Sequence, residues 1–143
     1  MNSQASVFID ANTFIYFLDE TAQQHGSTIT ALQKLVDKQT ELYTSHHVIE
    51  EVLFIVAKLA TAQAVTIAIE RIAELPGLLL VEPDTDLTFA RRYVKLWQKS
   101  KVGINDALLL QLMIDANIRH LFSYDETFAK QAIKFGITSI DVQ

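Results

Sequence analysis

The chain has 143 residues and a net charge of −5; half of its residues are hydrophobic, a fifth are charged, and glycine and proline are scarce. This composition predicts one globular domain over residues 1–143 and excludes a disordered or low-complexity protein. The absence of cysteine excludes disulfides, thiolate metal sites and a cysteine nucleophile, and it is consistent with a cytoplasmic location. Met1 to Gln4 carry no basic side chain, and the aliphatic run from Leu78 to Val81 is too short to cross a bilayer, so neither a signal peptide nor a membrane span is predicted.

Taken in chain order, short apolar segments alternate with segments of helical periodicity. Strands are predicted at residues 7–9, 41–44, 78–81, 120–123 and 138–142. Helices are predicted at residues 12–18, 27–39, 46–60, 62–75, 89–99, 106–116 and 126–134. Ser45, Asn105 and either Asp84 or Asp86 are predicted helix caps, and Gly136 is predicted to end the last helix. The alternation predicts an α/β fold with a mainly parallel sheet of four to five strands.

Two acids follow strands that end at the same edge of such a sheet. Asp10 closes the first strand, and Asp125 lies two residues past Ser123, where the fourth strand ends. In open α/β sheets, ligands bind outside the carboxyl ends of the strands. A single aspartate at a strand end is more often a turn-former or a helix cap, but two at the ligand-binding edge favour a functional site.

Asp106 is a third candidate for this site. With a helix that begins near residue 106, Asp106 lies on the same face as Leu109 and Met113 and therefore faces inward. An acid at a helix N-terminus is also favoured by the helix dipole alone, so this structural alternative stays open.

The helix predicted at residues 46–60 offers two adjacent acids, Glu50 and Glu51. Its apolar stripe is predicted to face the core and consists of Val48, Val52, Ile55, Val56 and Leu59. On a helical wheel, Glu51 lies about 100° from the centre of this stripe and Glu50 about 160°. Glu51 is therefore the predicted site residue, with Glu50 as the alternative.

Four acids at one edge need a counter-charge. Two carboxylates about 4 Å apart repel by about 4 kcal/mol at an effective dielectric of about 20, and without compensation at least one takes up a proton. Mg²⁺ or Mn²⁺ removes this cost, because both ions prefer oxygen ligands. The acids therefore predict a divalent-cation site of the kind that hydrolyses phosphodiester bonds.

Basic side chains are concentrated between residues 91 and 101, where there is no acid: Arg91, Arg92, Lys95, Lys99 and Lys101. They are candidates for substrate binding through phosphate contacts, and a solvated helix face is an equally good explanation. Tyr93 and Trp97 lie among them at a spacing of four and are predicted to pack against the core rather than to stack on bases. His46 and His47 are predicted to be surface residues; a metal-free ribonuclease would need two histidines that flank the phosphate.

Four segments resemble, in order, the motifs of PIN domains. Val7 to Phe14 resembles the first motif, a strand ending in Asp-x-Asn, and Ser45 to Leu53 resembles the second, a helix with a glutamate after a strand. Asn105 to Ala107 resembles the third, an Asp-Ala at a helix start, and Ser123 to Phe128 resembles the fourth, Thr/Ser-x-Asp-x-x-Phe. At this length the chain is most similar to the VapC-like toxins of bacterial type II toxin–antitoxin systems.

This resemblance implies a three-layer α/β/α sandwich and a Mg²⁺- or Mn²⁺-dependent endoribonuclease that acts as the toxin of a toxin–antitoxin pair. It also implies an RNA substrate, a small antitoxin that occludes the acidic site, and a homodimer, for which the apolar helices between Val48 and Leu75 offer a surface. The matched positions give an acidic, metal-binding cluster and two supporting polar groups: Asp10, Glu51, Asp106 and Asp125, with Asn12 and Ser123. A catalytically silent PIN-fold module that binds RNA or protein and a nuclease acting on DNA stay open as alternatives.

Overall fold

The structure, a computed structural model, describes residues 5–142. At its centre is a sheet of five parallel strands: β1 (Ser6–Ile9), β2 (Glu41–Thr44), β3 (Leu78–Leu80), β4 (His120–Phe122) and β5 (Thr138–Ser139). Their order across the sheet is β3-β2-β1-β4-β5. The predicted parallel sheet is confirmed. Residues 1–4, for which no signal peptide is predicted, lie outside the described part.

Seven helices occur within residues 5–142: α1 (Ala11–Leu18), α2 (His25–Asp37), α3 (His46–Leu59), α4 (Ala62–Ala73), α5 (Thr88–Lys99), α6 (Ile104–Asp115) and α7 (Glu126–Ile133). α1 packs against α2, α3 and α4, whereas α5 packs against α6. Crossovers between parallel strands are right-handed, so the helices before β3 lie on one face of the sheet and the later helices on the other. The predicted α/β/α sandwich is confirmed. None of the helices in this part of the chain is long and apolar enough to span a membrane.

The strand register places two polar side chains, those of Asp10 and Ser123, next to each other at the edge of the sheet. Ile9 of β1 pairs with Phe122 of β4, and Phe8 of β1 pairs with Tyr43 of β2. One residue beyond these pairs, Asp10 and Ser123 therefore leave the sheet side by side. β1 is buried along Val7, Phe8 and Ile9, because it is the central strand and both of its faces are covered by helices. The chain moves from β1 to β2 on one side and returns to β4 on the other, so this edge lies at the switch point where such sheets bind ligands.

Several helix boundaries differ from the sequence prediction. α6 begins at Ile104 with Gly103 at the N-cap, and not with Asn105 as a cap; Asp106 consequently lies within the first turn. α5 begins at Thr88 after Leu87, which makes no side-chain cap, although Asp86 accepts a hydrogen bond from the Thr88 amide at 2.9 Å. Short polar caps of this kind compete closely, and the sequence alone does not rank them.

Two other predicted helix ends are confirmed. Ser45 caps α3, and its hydroxyl oxygen accepts a hydrogen bond from the Val48 amide at 3.1 Å. Gly136 follows the end of α7 with φ of +79°, a left-handed conformation that glycine adopts without cost.

The predicted core stripe of α3 is correct only in its first half. Val48 and Val52 are fully buried, but Leu59 at the end of the helix is 82% exposed. Phe54 on the same helix and Ile67 on α4 are also exposed, so α3 and α4 carry apolar side chains on the protein surface. Leu59 in the last turn instead lines an open cavity between α1, α3 and α4, which explains why a regular helical pattern overestimated the buried face.

Candidate active site

Asp10 is the most firmly held of the predicted acids. It is only 7% exposed and serves as the N-cap of α1. Its Oδ1 accepts a hydrogen bond from the Ala11 amide at 2.8 Å, and its Oδ2 accepts one from the Ser123 hydroxyl at 2.7 Å. The Asp10 amide also donates to the carbonyl of Phe122 at 3.1 Å, which extends the pairing of β1 with β4 by one residue. Both backbone and side chain therefore fix this carboxylate at the edge of the sheet.

The Ser123 hydroxyl is the centre of the polar network around Asp10. While donating to Asp10, its oxygen accepts hydrogen bonds from Asn12 Nδ2 at 3.2 Å and from the Asp125 amide at 3.1 Å. The other end of the Asn12 side chain accepts from the Tyr124 amide at 3.0 Å. Asn12 and Ser123 thus connect the start of α1 to the end of β4, and Ser123 orients Asp10 from 113 residues away along the chain.

Asp125 and Asp106 come from the N-terminal ends of two other helices. Asp125 is the N-cap of α7, where its Oδ1 accepts a hydrogen bond from the Phe128 amide at 3.1 Å. Asp125 is therefore a helix cap, as the structural alternative predicted. The cap uses only Oδ1, so Oδ2 can take another role. Asp106 lies half-buried in the first turn of α6, as the inward-facing position predicts.

Glu50 and Glu51 occupy neighbouring positions of α3 and share one cavity, but Glu51 alone of the two also lines the cleft that contains Asp10. Both side chains are exposed. Glu51 reaches the cavity that contains Asp10, whereas Glu50 lines only an adjoining one. The structure therefore places Glu51, and not Glu50, beside the other three acids.

All four acids line one open cleft of about 460 Å³. The remaining walls are largely apolar or amide side chains and include Asn12, Ile15, Tyr16, Ile55, Asn105 and Leu109. No lysine, arginine or histidine is among the residues that line it. The fold thus gathers four carboxylates from four separate segments without a cationic side chain between them.

Burial and mutual repulsion raise the pKa of three of these acids. For Asp106, burial first and then the charges of Asp10, Asp125 and Glu51 raise the pKa to about 6. Burial is also the largest cause of the raised pKa of Asp10, which the hydrogen bond from Ser123 partly offsets. The pKa of Glu51 is raised by burial and by Asp10, and the nearby His47 acts in the opposite direction. The cleft therefore disfavours its own negative charge and favours a cation.

The donor set fits a hard divalent cation held largely through water. Within residues 5–142, no three acidic or histidine side chains lie close enough together to ligate one metal ion directly. Mg²⁺ in proteins is usually held by one or two carboxylates and keeps several waters, so wider spacing across a roomy cleft is compatible with that ion. The all-oxygen donors exclude a site selective for soft metals.

The five basic residues between 91 and 101 do not line this cleft. Arg92 instead binds Asp115 at 2.5 Å and Asp84 at 3.5 Å, so its guanidinium is already occupied by carboxylates. Tyr93 packs against Phe89 with ring centroids 5.4 Å apart, as predicted, whereas Trp97 is 41% exposed and does not follow the prediction.

The sequence interpretation missed Tyr16. It lines the cleft one helical turn after Asn12, and its ring meets Tyr124 edge to face at 4.9 Å. The Tyr124 hydroxyl is in turn bonded to Thr28 Oγ1 at 2.6 Å. The spacing of four residues from Asn12 on α1 was the available signal, because residues four apart share a helix face.

Comparison with known proteins assigns the family. A model of the PIN domain family matches residues 7–134, and the chain therefore belongs to this family, whose members are nucleases. No sequence among curated proteins matches the chain significantly.

Three solved structures share the fold. VapBC2 from Rickettsia felis, bound to a DNA fragment from its promoter, is similar with a TM-score of 0.72 and 16% identity over 96% of this chain and 99% of the other. VapC20 from Mycobacterium tuberculosis, a toxin that cleaves the sarcin–ricin loop, is similar with a TM-score of 0.64 and 17% identity over 87% and 93%. FitAcB from Neisseria gonorrhoeae is similar with a TM-score of 0.66 and 14% identity over 94% and 96%.

Proposed function

We propose that this chain is a divalent-metal-dependent endoribonuclease and the toxin of a toxin–antitoxin pair. The observation that carries the proposal is the single cleft with four carboxylates and no cationic side chain. Carboxylates that raise one another's pKa destabilise the fold, so a positively charged ligand accounts best for their convergence.

Asp10, Glu51, Asp106 and Asp125 are the residues that would hold the metal in this proposal. Each ion would take one or two of these carboxylates, with water completing its shell. A bound Mg²⁺ or Mn²⁺ supplies an activated water and stabilises charge on the phosphate during hydrolysis.

The residues around the acids prepare them for this role. The Ser123 hydroxyl donates a hydrogen bond to Asp10 and partly offsets the rise in the pKa of Asp10 that burial causes. Asn12 fixes the Ser123 oxygen from the other side. Asp106, with its pKa of about 6, loses its proton at neutral pH and does so more readily beside a cation.

The substrate and partners are proposed from the comparisons together with the cleft. VapC20 cleaves the sarcin–ricin loop, which supports an RNA substrate. Proteins generally read single-stranded loops of RNA, since unpaired bases are accessible there. VapBC2 and FitAcB support a small antitoxin partner for this chain. Leu59 of α3 and Ile67 of α4 are exposed and line one apolar cavity, which supports a homodimer through this surface. A cytoplasmic location is proposed with these partners.

One assay tests the activity. Purified protein is incubated with total RNA or single-stranded DNA in Mg²⁺, Mn²⁺ or EDTA. Cleavage of RNA alone, dependent on metal, is expected. Cleavage in EDTA would contradict the metal role and point to histidine chemistry, while cleavage of DNA would change the substrate. No cleavage at all, with RNA still bound, would favour the catalytically silent binding module.

The partner is tested separately. The chain is expected to co-purify with the product of a short reading frame immediately upstream of its gene, and that product is expected to inhibit cleavage. Light scattering of the free chain at micromolar concentration is expected to give the mass of a dimer. A protein that stays monomeric and has no inhibitory neighbour would contradict this part of the proposal.

A further inference from the structure

A second cavity opens directly from the acidic cleft. This cavity of about 320 Å³, here called the side groove, shares Glu51, Ile55 and Asn105 with the cleft. It continues past them to His47, Glu50, Phe54 and Lys58, so that Lys58 is its cation and Glu50 is an acid at its edge. Because three residues line both cavities, a molecule that extends beyond the cleft on this side enters the side groove.

The side groove runs along one face of α3. His47, Glu51, Phe54 and Lys58 follow each other at spacings of four, three and four residues, which places them on a common stripe of the helix. At the rise of an α-helix, Lys58 lies roughly 10 Å beyond Glu51 along the axis. A strand with one phosphate at the acids therefore has its neighbouring nucleotides over Phe54 and Lys58.

The chemistry of this stripe changes away from the acids. Phe54 is 64% exposed, and a large aromatic ring at that exposure costs hydration energy unless a ligand or partner covers it. Lys58 is exposed and is the only lysine or arginine that lines either cavity. An aromatic face followed by a cation is the combination that binds a base and the next phosphate of an unpaired strand.

The basic segment at residues 91–101 does not supply this cation. None of its five side chains lines the cleft or the side groove, and Arg92 is paired with two carboxylates. The backbone of a substrate that leaves the acidic cleft therefore meets positive charge on α3.

We propose that the side groove binds single-stranded RNA next to the scissile phosphate, with Phe54 stacking on an unpaired base and Lys58 contacting the following phosphate. This inference rests on the proposed nuclease function and names the path of its substrate. His47, which is partly buried, lines the side groove at the start of the same stripe. The groove makes the enzyme selective for unpaired strands, because a base in a duplex has no free face for Phe54.

Binding is measured by fluorescence anisotropy of a labelled single-stranded RNA oligonucleotide in Mg²⁺. Every protein carries Asp10→Asn so that the strand stays intact. Phe54→Leu is expected to weaken binding about tenfold, because one base–aromatic stack is lost, while Phe54→Tyr restores it. Lys58→Gln is expected to reduce the slope of log affinity against log salt by about 0.7, the contribution of one phosphate contact on a single strand.

Matched variants separate this path from its rivals. Ile133→Ala on α7, where Ile133 is 60% exposed against 64% for Phe54, and Lys130→Gln on the same helix lie outside the side groove and are expected to bind like the parent. If Lys99→Gln and not Lys58→Gln lowers the salt slope, the strand follows α5 and the inference is overturned. It is also overturned if Phe54→Leu leaves binding unchanged, or if light scattering shows that this substitution dissociates a dimer, since Phe54 then contacts a second copy.

The proposed nuclease function is tested separately, by measuring RNA cleavage in the groove variants that keep Asp10. Metal-dependent cleavage with unchanged binding by the groove variants would reject the side groove alone. Groove-dependent binding by a protein that never cleaves would reject the nuclease and keep the side groove as an RNA-binding site.

Discussion

Two acidic clusters in this chain are compensated in opposite ways. In the active-site cleft, Asp10, Asp106, Asp125 and Glu51 meet no cationic side chain. In the second cluster, Asp84 and Asp115 both bind the guanidinium of Arg92. Aspartate and glutamate side chains therefore have no cationic partner in the cleft, whereas the aspartates of the second cluster are neutralised by Arg92.

The pKa shifts in the two clusters differ in the group that is affected. The carboxylates around Arg92 raise the pKa of its guanidinium, with the hydrogen bond to Asp115 as the largest cause. In the cleft, the raised pKa values are those of three acids, Asp10, Glu51 and Asp106. The difference teaches that acid density alone does not mark a site. An acidic cluster marks a candidate metal site when the fold leaves it without its own counter-ion.

The largest effect is expected from Asp10→Asn, which tests whether the uncompensated cluster is catalytic. Loss of this ligand is expected to reduce cleavage of single-stranded RNA by about 100-fold or more, since metal-ion catalysis supplies several kcal/mol. Asparagine keeps an acceptor for the Ala11 amide, so the circular dichroism spectrum should not change. Normal cleavage by a folded Asp10→Asn protein would remove the assigned role.

Ser123→Ala addresses the network that orients Asp10. Loss of the hydroxyl is expected to lower cleavage about tenfold, as is typical for groups that orient a metal ligand. It also raises the pKa of Asp10, because the Ser123 hydrogen bond lowers it. The acid limb of the pH–rate profile is therefore expected to move to higher pH. Ser123→Thr, which keeps the hydroxyl, is the control and should retain the parent profile; a shift shared by both variants would argue against the hydrogen bond as the cause.

Asp106→Asn tests the energetic cost of the uncompensated cluster. The folded pKa of about 6 lies above the value near 4 that an unfolded chain has. Between pH 4 and pH 6 the Asp106 carboxyl is protonated in the folded state but ionised in the unfolded state. Its unfavourable contribution to the free energy of unfolding is therefore largest above pH 6 and disappears progressively as the pH falls from 6 to 4.

Removing the charge is therefore expected to raise the free energy of unfolding at pH 7.5 in EDTA by about 1 kcal/mol, after allowance for the partial exposure of Asp106. Urea denaturation at pH 7.5, 5 and 4 measures the gain, which should disappear at the lowest pH. Saturating Mg²⁺ should stabilise the parent more than the variant. A variant less stable than the parent at pH 7.5 in EDTA would show that the acids do not repel one another.

The smallest effect is expected in the compensated cluster. Arg92→Gln breaks exposed ion pairs and is expected to lower Tm by no more than about 3 °C. RNA cleavage should stay at the parent rate, because Arg92 does not line the cleft. Differential scanning calorimetry and the cleavage assay together check this. A large loss of cleavage would return Arg92 to the substrate-binding set predicted from sequence.

The order of elements was predictable because it depends on local patterns. Periodicity predicted every strand and helix now described in residues 5–142, and parallel strands necessarily end at a common edge, which located Asp10 and Asp125. The helical wheel predicted that Glu51 lies nearer to the buried face of α3 than Glu50. Val48 and Val52 are buried as the wheel assumed, and Glu51 lines the cleft.

What the sequence did not reveal depends on contacts between distant residues. The partner of Arg92, Asp115, lies 23 residues away, so a basic run on α5 looked free when one of its members is neutralised. Leu59 continues a regular apolar pattern, but it is exposed because α1 and α4 leave an open cavity beside it. Gly103, in an extended conformation, is the N-cap of α6 although Asn105 is the stronger cap by residue type, and Val102 just before it is buried in the core.

The pairing of β1 with β4 has a consequence for how this protein can be switched off. The Asp10 amide donates a hydrogen bond to the Phe122 carbonyl, and the Asp10 carboxylate accepts one from the Ser123 hydroxyl. The edge of the sheet that carries Asp10 is therefore held by hydrogen bonds between the two central strands, β1 and β4. Local opening of a loop or of a terminal helix leaves these central bonds in place, because such regions open at a lower free energy than the core of a sheet. If the chain is the nuclease proposed above, we therefore expect its inhibition to come from a partner that covers the open cleft.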